Sequence, residues 1–236
     1  MKLKFGIVVF PGSNCDDDVV YVIKDILDQE AIKLWHKETD LQGVDGIIIP
    51  GGFSYGDYLR AGGLAKFSPI MQSIKEYASR GGFVFGICNG FQILCEAGLL
   101  PGTLLPNDNG KFICKNVYIK VDNRHTILTN QIPSEYALKI PIAHAEGKYY
   151  APGPEITKMR KNGQILFRYC DEYGRLSEEF NPNGSIENIA GICNEEKNVF
   201  GMMPHPERAA DDELGNTDGL MIFNSIIKSL TEKVFY

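Results

Sequence analysis

No stretch of this 236-residue chain approaches the roughly 20 consecutive apolar residues that cross a bilayer, so a soluble protein with no membrane partner is expected. A Lys/Arg-rich run or basic stripe is missing too. With 24 basic against 30 acidic side chains the net charge is −6, which leaves no electrostatic footprint for nucleic acid and favours a small-molecule or protein partner. The six cysteines, Cys15, Cys88, Cys95, Cys114, Cys170 and Cys193, contain no CxxC pair, which disfavours a zinc site and a small-domain disulfide framework. A reducing cytoplasm is the expected home. Internal repeats and low-complexity linkers are also absent. At the N-terminus, MKLKFGIVVFPGSNCDDD carries an apolar run too short for a secretory signal. It ends in Pro-Gly and meets three aspartates, so it reads as a buried first strand.

What is present suits one sizeable core. The 44% hydrophobic content allows a single domain spanning residues 1–236. Apolar runs at 5–10, 31–35, 46–49 and 83–87 alternate with amphipathic segments near 16–29 and 68–80. That rhythm predicts an α/β fold with an open, mostly parallel sheet and helices on both faces. After Leu100 the texture changes to alternation, as in Val117, Ile119 and Val121 and again in Ile165, Phe167 and Tyr169, with a turn signal at Asn-Pro-Asn-Gly 181–184. Antiparallel strands are therefore expected in the C-terminal half, extending the sheet or forming a small side sheet. A last helix is expected over roughly 218–232.

The stretch GGFVFGICNGFQILCEAG, residues 81–98, runs from a strand pattern into a helix pattern with Cys88 at the corner. Ligands of open α/β sheets bind at the carboxyl ends of strands, and a sharp strand-to-helix turn there pushes one side chain into the crevice. Gly86 and Gly90, two residues to either side of Cys88, give the pattern of a nucleophile elbow with sulfur in place of oxygen. A helix N-terminus favours thiolate over thiol, and the backbone N–H of Asn89 could donate to an oxyanion. Cys95, Cys114, Cys170 and Cys193 read as small core filler.

A nucleophile needs a base, and there are four histidines. His36 at a strand end and His125 in a polar turn read as structural or solvated. His144, in IAHAEG beside Glu146 and Gly147, could line a site without being the base. In GMMPHPERA the prolines at 204 and 206 exclude a regular helix and suggest extended backbone, which would place His205 and Glu207 on one face. The carboxylate would then orient the imidazole. A second oxyanion donor could come from the glycine-rich turn Pro50-Gly51-Gly52-Phe53, which has neither a P-loop nor a dinucleotide-binding pattern.

Assembled, these residues resemble the class I glutamine amidotransferase family: GICNGFQ matches its GxCxGxQ signature and PHPE its downstream His-x-Glu pair. More narrowly, PGSNCDDD, GGFSYGDYLRAGG, GICNGFQILCEAGLLPG, GKFICK, NPNGS and MMPHPERA are similar to the glutaminase subunits of phosphoribosylformylglycinamidine synthases, nearly end to end. The resemblance implies a flavodoxin-like sheet and release of ammonia from glutamine. Cys88 would be the nucleophile, His205 the base and Glu207 its partner. Gly52 and Asn89 would bind the oxyanion, while Gln92, Glu146 and Gly147 would contact substrate. Ala145 departs from the glycine expected in the HxEG segment. The implied partners are glutamine, a large synthase subunit and a small accessory subunit. With no P-loop in the chain and no second domain expected, ATP and Mg, the nucleotide-binding part of the activity, would sit on the synthase, and no cofactor or metal is expected here. Two rival readings are a stand-alone cysteine hydrolase or stress protein of DJ-1-like fold and a binding subunit with a dead site. Glutamine turnover separates both from the amidotransferase reading.

Overall fold

A computed structural model of the chain describes residues 2–133 and 135–232. The first four apolar runs form β1 (Lys4–Val9), β2 (Glu30–Trp35), β3 (Gly46–Ile49) and β4 (Phe83–Ile87). Between them lie α1 (Asp16–Tyr21), prolonged by a π-helical stretch Val22–Ile26, and α2 (Pro69–Ser79). Pro69 opens α2 at a position where its missing N–H costs nothing, and Ile70, Met71, Ile74 and Ala78 supply the buried stripe. Leaving β4, the chain enters α3 (Asn89–Glu96).

The second half contributes β5 (Thr103–Leu105), β6 (Ile113–Val121), β7 (Ala137–His144), β8 (Lys148–Tyr150) and α4 (Gly153–Lys161). It continues with β9 (Ile165–Cys170), β10 (Ile189–Cys193), β11 (Val199–Met202) and α5 (Leu220–Glu232).

Among the described residues nine strands form one sheet in the order β2-β1-β3-β4-β11-β10-β9-β6-β7. The first five are mutually parallel, and the other four continue the sheet antiparallel. β5 and β8 make a separate antiparallel pair, so both arrangements expected of the late strands occur. Two features differ from expectation. β9 is buried along its whole length, so its alternation does not mark a solvated face. The last strand, β11, belongs to the parallel half beside β4, with Met202 opposite Ile87.

That placement builds the site. β3, β4 and β11 are buried at every residue, as strands covered on both faces must be. Each buried Ile or Phe of these strands contributes about 1.5–3 kcal/mol, which pins their register. The carboxyl ends of β4 and β11 consequently lie side by side, and the residues just beyond them are brought together. Pro141 is tolerated inside β7 because β7 is the last strand of the sheet.

Candidate active site

Cys88 occupies the turn between β4 and α3 with φ +50° and ψ −105°, a conformation costly for any residue with a Cβ. The surroundings hold it there. Its N–H donates to the Met202 carbonyl at 2.8 Å. The two neighbouring glycines are required by close packing: a Cβ at Gly90 would stand 1.9 Å from the Ile49 carbonyl oxygen, and one at Gly86 would stand 2.6 Å from backbone atoms of Gly90. Cys88 is 4% exposed, and its sulfur lies 3.7 Å from the Ala143 carbonyl oxygen.

His205 follows β11 and is anchored by its N–H, which donates to the Pro141 carbonyl at 2.8 Å. Its Nδ1 meets Glu207 Oε1 at 2.6 Å, with both side chains buried. The expected pairing is thus present, but the backbone differs from the extended form anticipated. Residues Pro206–Ala209 form a 3₁₀ turn, so a tight turn folds Glu207 back onto the ring. Nε2 of His205 is buried with no hydrogen-bond partner. Burial disfavours the imidazolium, yet the Glu207 carboxylate and then Cys88 outweigh it and hold the His205 pKa well above its ordinary value.

Cys88 and His205 line one cleft of about 350 Å³. Gly52 lines it too, at φ +145°, where a Cβ would lie 2.7 Å from the Gly12 carbonyl oxygen. Asn89 opens α3, so its N–H lacks an intrahelical acceptor. Its side chain accepts from the Ser54 N–H at 3.1 Å and donates to Gln92 Oε1 at 2.9 Å. Gln92 in turn donates to the Glu146 carbonyl at 2.7 Å. Its amide is engaged at both ends, which holds the segment carrying Glu146 against α3. Glu146 and Ala145 both border the cleft.

Gly147, expected to contact substrate, has both backbone polar groups engaged within the protein. Its N–H donates to Asn107 Oδ1 at 3.0 Å, and its carbonyl accepts from Asn183 at 2.8 Å. A Cβ there would stand 2.2 Å from the His144 ring, so glycine is needed for packing. His144 lines the cleft as a neutral ring: burial first, then His205, bring its pKa down to about 4, and Asn107 Oδ1 lies 3.1 Å from Nδ1. His36 is structural, held 2.8 Å from the Tyr55 hydroxyl, and His125 is exposed.

Three features of the site escape sequence reasoning. Gly51 seats the base, since a Cβ there would stand 2.7 Å from His205 Cε1 and 3.0 Å from Cys15 Sγ. Cys15, given no role by the sequence, borders the cleft beneath Arg208, whose Nη2 donates to its sulfur at 3.0 Å. Asp57 reaches the cleft from the glycine-rich loop after β3. The loop motifs themselves were the only available signal. Cys15, His205 and Glu207 also offer donor atoms within 4.8 Å of one another.

A strained cysteine elbow and a buried His-Glu pair line one cleft at the carboxyl edge of a parallel sheet, an arrangement that fits cysteine-dependent amide hydrolysis. The chain belongs to the family described as the CobB/CobQ-like glutamine amidotransferase domain, which matches residues 2–218. It is 55% identical over 225 residues to the phosphoribosylformylglycinamidine synthase subunit PurQ of Aquifex aeolicus, covering 95% of this chain and 99% of that one. With the subunit of the same name from Salinibacter ruber it shares 51% over 231 residues, covering 98% of each. Among solved structures, PurLQS from Thermotoga maritima aligns at TM-score 0.86 with 43% identity, over 98% of this chain and 100% of that chain. Membership of this family displaces the DJ-1-like reading. No helix among the described residues is long and apolar enough to cross a membrane.

Proposed function

We propose that this chain is the glutaminase component of a phosphoribosylformylglycinamidine synthase, with Cys88, His205 and Glu207 as its triad. The observation that carries the assignment is the orphaned Nε2 of His205. It is buried in the cleft that holds Cys88, while Nδ1 is fixed to Glu207 at 2.6 Å. A buried polar atom without a partner is costly, and one in a cleft fits a proton transfer that occurs only with substrate present.

The sulfur of Cys88 attacks the side-chain carbonyl carbon of glutamine. The oxyanion that forms is met by the N–H groups of Gly52 and Asn89. His205 gives its Nε2 proton to the departing nitrogen, which leaves as ammonia, and a glutamyl thioester remains. Water then attacks the thioester with His205 as base, releasing glutamate and restoring the thiol. Glu207 keeps the ring in one orientation throughout. Gln92 and Glu146 face the amino-acid end of the substrate, whose charges need partners once water is excluded.

The relatives named as PurQ support the acceptor: ammonia passes to a large synthase subunit that converts formylglycinamide ribonucleotide to formylglycinamidine ribonucleotide in purine biosynthesis. A small accessory subunit completes the complex, and ATP and Mg belong to the synthase. Residues 1–236 act as one cytoplasmic amidotransferase domain, a reading supported by the contiguous hydrophobic core. Tyr55, Asp57 and Leu59 all have positive φ in the loop beside Gly52, so this segment holds strain that docking can redistribute. Purified chain should hydrolyse glutamine slowly, and synthase with its ligands should raise kcat/KM at least tenfold, about 1.4 kcal/mol of barrier. Full-speed hydrolysis unchanged by the synthase contradicts the coupling, and no glutamate formation with or without it contradicts the glutaminase assignment.

A further inference from the structure

The loop that follows Gly52 is anchored a second time, away from the cleft. Gly52 borders the cleft, and among the described residues nothing accepts its N–H. The backbone beyond it is tied to the turn after β1: the Phe53 N–H donates to the Gly12 carbonyl at 3.0 Å and the Tyr55 N–H to the Pro11 carbonyl at 2.6 Å. Tyr55, Gly56 and Asp57 then run at φ +55°, +68° and +52°, a left-handed stretch that glycine alone adopts without cost. The Tyr55 side chain opposes its relaxation. Its hydroxyl lies 2.8 Å from His36 Nδ1, just beyond β2, and 2.9 Å from Ser68 Oγ, at the entry to α2. Both partners are buried. Two observations set this network apart from ordinary packing. Ser68 stands at the N-cap of α2 without a side-chain capping hydrogen bond, so its hydroxyl serves Tyr55 where a serine in that place ordinarily serves the helix. His36 Nε2 and Ser54 Oγ are buried with no hydrogen-bond partner among the described residues, a cost that an apolar cluster of the same shape avoids. Burial first, and then Lys37, lower the His36 pKa, so the ring meets the hydroxyl uncharged near neutral pH.

Resting on the glutaminase reading, we infer that Tyr55 is a positioning residue of the reaction: by joining His36 to Ser68 it fixes the loop that presents the Gly52 N–H, and it acts on amide attack without touching substrate. Tyr55 does not line the cleft. Only Phe53 and Ser54 separate it from Gly52, and both are held through their N–H groups, that of Ser54 by Asn89 Oδ1 at 3.1 Å. A displacement at Tyr55 therefore has little slack before it reaches Gly52. An oxyanion donor counts in the transition state, because negative charge develops on the oxygen there and is absent from the bound amide. Loosening the anchor should accordingly lower kcat and leave KM for glutamine in place.

The test uses the full chain and two variants. Tyr55→Phe keeps the ring and removes the hydroxyl, and Ser68→Ala removes one partner of that hydroxyl without taking away a helix cap. Removing an oxyanion donor outright typically costs about 10²–10³ in kcat. Displacing it in Tyr55→Phe should lower kcat for glutamate release at least tenfold, with KM within twofold of wild type. Ser68→Ala should move kcat in the same direction by less. Labelling of Cys88 by iodoacetamide, read by peptide mapping, should stay within twofold of wild type in both variants, because displacement at a saturated carbon develops no carbonyl oxyanion. Unchanged kcat in Tyr55→Phe overturns the inference. So does a rise in KM alone, which would place Tyr55 in substrate binding, or parallel slowing of iodoacetamide, which would reduce it to general packing. If Tyr55→Phe does not fold, Ser68→Ala decides by the same criteria. Wild-type chain that releases no glutamate, with or without the synthase, removes the glutaminase reading and this inference with it.

Discussion

The backbone N–H of Cys88 donates to the carbonyl of Met202 at 2.8 Å, tying the turn that carries the sulfur to the strand that leads to His205. Nucleophile and base thus sit on rigid neighbours, the carboxyl ends of β4 and β11, and only short turns separate each from its strand. This arrangement fixes geometry better than two mobile loops could. It also makes the consequences of changing individual side chains specific.

Removal of the base and removal of its orienting group should be unequal. His205→Ala deletes the proton carrier, and such general acid–base contributions are typically about 10²–10⁴-fold. Glu207→Gln keeps the shape and loses the charge that meets Nδ1 at 2.6 Å, so its loss should be smaller. Steady-state glutamate release measures both. Near-normal activity in His205→Ala would show that another group is the base.

The same pair sets a pH dependence. The raised pKa of His205 keeps its proton bound above pH 6.5, and the proton is lost as pH rises through the folded value. Glu207→Gln deletes the largest cause of that rise and leaves burial, which lowers it. Imidazole ¹⁵N shifts should therefore show His205 losing its proton at lower pH in the variant than in wild type. Coincident titrations would contradict the role given to Glu207.

Gly51 offers a test that replaces no member of the triad. In Gly51→Ala the new methyl would stand 2.7 Å from His205 Cε1, so the ring must shift. A misplacement of about 1 Å can cost 10²-fold in rate, and overpacking typically costs about 1–3 kcal/mol. Glutaminase activity should fall at least tenfold while the thermal midpoint drops by only some degrees. Full activity in this variant would show that the seat is unimportant.

The local parts of this site were legible in the sequence, and the long-range parts were not. Gly86, Cys88 and Gly90 lie on one turn, so their spacing alone implied the elbow. The His205 and Glu207 pairing was anticipated for a reason that does not hold, because the prolines allow a 3₁₀ turn where extended backbone was expected. Gly51, Cys15 and Asp57 meet His205 or the cleft only through sheet order, which no local pattern encodes. Strand β11 shows the same limit. Its four residues resemble any short buried run, and only its partners reveal that it is parallel to β4.

Cysteine reactivity provides a further test. Burial raises the pKa of Cys95, and it pushes Cys170 and Cys193 up to about 12, so these thiols stay protonated near neutral pH. Cys114 is exposed but lies outside the cleft, and Cys15 is covered by Arg208. A chloroketone analogue of glutamine should give one dominant adduct at Cys88 on peptide mapping. Comparable labelling at Cys15 or Cys114 would count against the assignment.

The most direct measurement of the central claim compares two nitrogen sources in the reconstituted synthase containing Cys88→Ser. Serine keeps the turn and removes the thiolate, while free ammonia enters after the step that needs it. Formylglycinamidine ribonucleotide synthesis from glutamine should fall to background, and synthesis from an ammonium salt should match wild type. Equal loss with both sources, or undiminished use of glutamine, would contradict Cys88 as the nucleophile that frees ammonia.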